Sequence, residues 1–163
     1  METPATGRSK QQMSSDFYKK LFKLTIGGGV AFWATTVAIS LTPIRAEFRA
    51  ALSMSYILYA LVEPLLGGMI ISCFVSYFLL RFFDKVPTEN PIPKSVILSF
   101  VPYVINLILL GVAASRTSDA QYIFLIGAVL QVPTYLILGI VVGYLYRRLS
   151  APAAPRATST VQQ

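Results

Sequence analysis

Four stretches of this chain run for about the thickness of a bilayer with almost no charge, and no other feature limits the fold as tightly. Residues 24–44 are 21 residues without a charge, between Lys23 and Arg45. Residues 50–80 are interrupted only by Glu63. Residues 95–115 lie between Lys94 and Arg116, and residues 120–146 between Asp119 and the pair Arg147–Arg148. At about 1.5 Å per residue, some 20 residues of helix cover a hydrocarbon core of about 30 Å. A helix also satisfies its own backbone where no water can do so. The expected fold is therefore an all-α integral membrane protein, a bundle of four transmembrane helices within residues 17–148. The spans are expected over about 24–44, 55–81, 95–115 and 121–146. The first run is too long for a leader's apolar region and ends without a small-residue cleavage site, so it is expected to be retained.

Lysine and arginine set the expected orientation. Eleven of them fall before the first run, between the second and third, or after the fourth. Three, Arg45, Arg49 and Arg116, fall in the other two loops. Both termini are expected in the cytoplasm, with the chain in the cell membrane. Residues 1–16 read as a polar tail and 149–163, rich in Ala, Pro, Ser and Thr, as a disordered one. The connector 84–94 holds three prolines and reads as a stiff extended link.

Composition removes several functions. Only 13% of the 163 residues are charged, against about a quarter in a soluble domain. The net charge of +7 flanks the apolar runs instead of forming one patch. Anionic lipid head groups are the expected partners, and nucleic acid is not. There is no histidine, which removes the commonest general base and metal ligand. The single cysteine, Cys73, leaves no intrachain disulfide and no metal cluster, and it reads as a small buried hydrophobe. No cofactor, metal or catalytic residue is expected.

Small residues recur at helix-packing spacing. Gly27, Ala31, Ala34 and Ala38 form one row; Gly68, Ser72 and Ser76 form another. Gly139 and Gly143 make a GxxxG in the fourth span. Contact within the bundle is the favoured reading, with a homo-oligomer face as the alternative. Pro64 and Pro133 are each followed thirteen positions later by a tyrosine, a spacing that a two-helix duplication could leave.

The polar residues inside the runs carry the functional question. Ser95, Ser99, Tyr103 and Asn106 share one helical face, and Gln131, Tyr135, Gly139 and Gly143 share another. Glu63 admits two readings. In one it lies about 12 Å into the bilayer, where a lone carboxylate is expected to be neutral, beside Tyr103, Asn106, Gln131 and Thr134. That arrangement suits a proton- or cation-coupled site. No lysine or arginine within a span is expected to pair with it. In the other, Pro64 opens a helix and Glu63 caps its positive end, with residues 45–62 lying at the outer surface.

Three functions follow. The first is a non-enzymatic small multi-pass membrane protein, an accessory or regulatory component with a membrane-protein partner. The second is a small proton- or cation-coupled transporter or channel, oligomeric, using Glu63. The third, an intramembrane enzyme, lacks any recognisable constellation and is set aside.

Overall fold

A computed structural model describes residues 5–51, 61–83 and 90–150. Among them every regular element is a helix: α1 Ala5–Ser40, α2 Pro43–Ala51, α3 Glu63–Arg81, α4 Pro91–Ala114 and α5 Ala120–Ser150. Four of these are long and apolar enough to cross a membrane: 26 residues of α1 from Ser15, then α3, α4 and α5. The shortest, α3, has 19 residues, or about 29 Å of rise.

The helix ends follow local chemistry. α1 begins far upstream of residue 24 and takes in most of the segment read as a polar tail. No proline lies between Pro4 and Pro43, and Gln, Lys and Met there are good helix formers, so the helix outruns its apolar part. Thr42 Oγ1 donates to the Ile39 carbonyl (2.7 Å) where α1 stops, and Pro43 opens α2. Pro64 stands in the first turn of α3 with Glu63 beside it. Residues 52–60, where the longer reading of this span begins, lie outside the described residues. Asn90 Oδ1 accepts from the Ile92 amide (3.2 Å) and caps α4, so Pro91 and Pro93 belong to a helical turn and not to an extended link. The remainder of that connector, and the tail from residue 151, lie outside the described residues. Pro64 opens a helix whereas Pro133 is inside α5, so the two prolines are not in equivalent places.

α1 packs antiparallel to α3, and α4 antiparallel to α5; these are the two most extensive contacts. α1 also packs on α5, and α3 closes more thinly on α4. The core is Phe32, Val75, Leu79, Tyr135, Leu138 and Val142. Both pairs are drawn close by small residues. A methyl added at Gly139 would lie 2.7 Å from Val96 Cα, and one at Gly143 2.6 Å from Ile92 Cα. Ser95 donates across this seam to the Gly139 carbonyl, and Ser99 to the Tyr135 carbonyl at 3.0 Å. In the other pair Gly68 meets the Phe32 ring, and Ser72 donates to the Leu24 carbonyl (3.3 Å). Ser76 is fully buried beside them, with no hydrogen-bond partner among the described residues. The GxxxG residues thus face α4 of the same chain. Gly28 sits under Ser72, Leu138 and Val142, so the glycine run serves close approach of three helices.

The outward faces are apolar. Ile97, Val101, Val104, Ile108 and Val112 of α4 are all about half exposed or more. Such an inside-out pattern suits a surface wetted by lipid. Cys73 is exposed on α3, not buried as its apolar neighbours imply: Ser72 and Ser76 hold the inner face, and residue 73 turns outward.

Candidate functional site

Where α3 begins, the four long helices and α2 enclose a cavity of about 280 Å³. Each element contributes for a local reason. The last turns of α1 bring Phe32 and Thr36, whose hydroxyl donates to the carbonyl of Phe32 (3.0 Å) and so tolerates an apolar helix. α3 starts at the cavity, so its first turn supplies Glu63 and Pro64. Pro102 and Asn106 come from α4, and Gln131, Thr134 and Tyr135 from α5.

The α4–α5 wall is a hydrogen-bonded sheet of polar groups. Asn106 Nδ2 donates to Gln131 Oε1 (2.9 Å) and to the Tyr135 hydroxyl (3.0 Å). Both amide protons of Asn106 are then used, while Asn106 Oδ1 and Gln131 Nε2 bond no described residue. Tyr135 is 1% exposed and packs edge-on to Phe32, with ring centroids 5.4 Å apart.

The charged groups sit at the mouth. Glu63 is exposed in the first turn of α3, directly after Leu61 and Val62, which form a π-helical turn, and no side chain caps this end. Its side chain lines the cavity. Arg45 of α2 is 6% exposed, lines the same cavity and attracts the Glu63 carboxylate. Arg45 lies outside the four long apolar helices, so the cation near Glu63 comes from α2 and not from within a span. Arg45 lies in the first turn of the proline-opened α2, which folds back over the bundle end and turns this residue inward. Trp33 Nε1 donates to the Leu61 carbonyl (3.2 Å) and ties the chain just before Glu63 to α1.

Of the five polar residues singled out in the sequence, Glu63, Asn106, Gln131 and Thr134 line this one cavity. Tyr103 does not; it stands behind the wall, donating to the Ala128 carbonyl (3.1 Å) with its ring 5.3 Å from that of Tyr135. Three polar lining residues, Thr36, Arg45 and Tyr135, were not among them. Tyr135 shares a face with Gln131 at a spacing of four, which was the available signal. Arg45 gave none, because hydropathy places it in a loop. Among the described residues no three Cys, Asp or Glu side chains gather to hold a metal. No protein-family model, curated protein or solved structure matches the chain.

Proposed function

We propose that this chain is a non-enzymatic multi-pass protein of the cell membrane, with both termini cytoplasmic, that binds a small polar solute for proton- or cation-coupled transport. The observation that carries the reading is the convergence of Glu63, Arg45, Asn106, Gln131 and Thr134 on one cavity between four apolar helices. Ionisable groups within apolar bundles are costly and characteristically mark solute or ion paths. With the lysine and arginine bias read as cytoplasmic, the cavity opens to the outer face, and the Ser95–Gly143 seam closes the inner half. Glu63 is the coupling group. The accessory-subunit alternative needs no cavity, so this site favours transport.

The test is a proteoliposome carrying a pH-sensitive dye inside. Sodium, potassium, tetramethylammonium and a set of small amino acids are added outside in turn. Proton movement evoked by one of them and lost in Glu63→Gln supports the proposal. Movement that persists unchanged in that variant refutes it. Orientation is read separately, by impermeant thiol labelling of cysteines placed at Ser118 and Thr88 in a Cys73→Ser background. Labelling at position 88 of intact cells would reverse the assignment.

A further inference from the structure

We infer that the solute this cavity takes is a small zwitterion, held with its cationic group on Glu63 and its anionic group on Arg45. The inference rests on reading the cavity as a solute site. It adds the ligand's chemical class.

The argument is one of charge matching. Among the described residues the cavity contains one carboxylate and one guanidinium, and these attract each other. A lone cation entering must sit near Arg45, and a lone anion near Glu63. Either leaves one of the two charges without its match, and Arg45, at 6% exposed, is the one for which that costs most. A zwitterion spans the two, meets each with the opposite charge, and keeps the cavity neutral. The planar guanidinium suits a carboxylate or phosphate bidentately. The rest of the lining agrees. Asn106 Oδ1 and Gln131 Nε2 offer an acceptor and a donor, and Phe32, Ile39 and Leu109 offer an apolar side. At about 30 Å³ per water, 280 Å³ holds roughly nine non-hydrogen atoms, the size of an aliphatic amino acid. A zwitterionic lipid head group carries the same paired charges and is the other source of this chemistry.

The experiment uses the purified full chain and dicyclohexylcarbodiimide, an apolar reagent that modifies carboxyls shielded from bulk water. Modification of the Glu63 peptide is followed by mass spectrometry. The protecting probes are L-leucine, its cationic amide, and 4-methylpentanoate, the same skeleton without the amine. Expected is protection by leucine at a concentration at least about tenfold below either single-charge analogue, the scale of one charge-assisted hydrogen bond. In Arg45→Gln the preference should pass to the cationic amide, a reversal that a merely structural arginine would not produce. The wild-type comparison decides alone if that variant does not fold. Equal protection by the amide, or protection by none of the three, overturns the zwitterion assignment while leaving a reactive site in place. No modification of Glu63 at all refutes the solute site itself. In lipid nanodiscs, protection by phosphatidylethanolamine but not phosphatidylglycerol, without leucine, supports the paired-charge chemistry and names the lipid as its source.

Discussion

Replacing Gly139 by alanine forces the most closely packed seam of the bundle apart. The new methyl would stand 2.7 Å from Val96 Cα and 3.0 Å from Val96 N, both backbone atoms that cannot rotate away. Carbon atoms rest about 3.5–4.0 Å apart, so α4 and α5 must separate by roughly 1 Å. Overpacking of this kind costs about 1–3 kcal/mol. The Ser95–Gly139 and Ser99–Tyr135 bonds across the seam lengthen as well. Inter-helix bonds in lipid contribute about 0.6 kcal/mol each. Alanine returns up to about 1 kcal/mol of helix propensity. The net loss is about 1–3 kcal/mol. Gly67→Ala isolates the propensity term, because a methyl at Gly67 meets nothing within 4 Å. It should be neutral or stabilising by up to about 1 kcal/mol. Reversible unfolding in mixed micelles, titrated with dodecyl sulfate and followed by circular dichroism, measures both. If Gly139→Ala proves as stable as Gly67→Ala, the close approach of α4 and α5 is wrong.

Other residues give shorter tests. Asn106→Leu strips the donor from Gln131 Oε1 and the Tyr135 hydroxyl, and should cost about 1–2 kcal/mol in the same titration and weaken leucine protection of Glu63. Lys94 is 3% exposed, donates to the Phe83 carbonyl and lies 3.7 Å over the Phe83 ring; Lys94→Met should lower stability by about 2 kcal/mol. Trp33→Phe breaks the tie to Leu61 and should raise hydrogen exchange at Leu61 and Val62 before it changes the melting temperature. Unchanged exchange there would show that the indole does not hold the cavity mouth.

The four apolar helices were legible because hydropathy and length report one thing, the depth of the hydrocarbon. The ends were less so. Nothing apolar marks the upstream turns of α1, since helix propensity without hydropathy leaves no trace in such a scan. Glu63–Pro64 is one signal for the start of the second span, yet 55–62 is equally apolar, and a linear pattern offers both starts. Within the site, spacing put Asn106 and Gln131 on the inward faces of adjacent helices. It could not set the rotation of each helix, which sends Tyr103 behind the wall and brings Tyr135 forward. Arg45 was hidden for a different reason. Its partners are distant in sequence, and a basic residue after a span reads as an anchor whether it turns outward or in.

The two seams also bear on the order in which the molecule is made. Arg45 and Glu63 both lie on the stretch leading from α1 into α3, so they emerge from the ribosome before any part of α4. A nascent chain therefore presents the bilayer with opposite charges already able to meet, not with a lone carboxylate waiting for later helices. The α4–α5 hairpin, joined by residues 115–119, is bonded within itself through Ser95, Ser99 and Asn106. One hairpin thus brings the ions and the other brings the amides. Neither holds the complete cavity, which exists only once the two halves close.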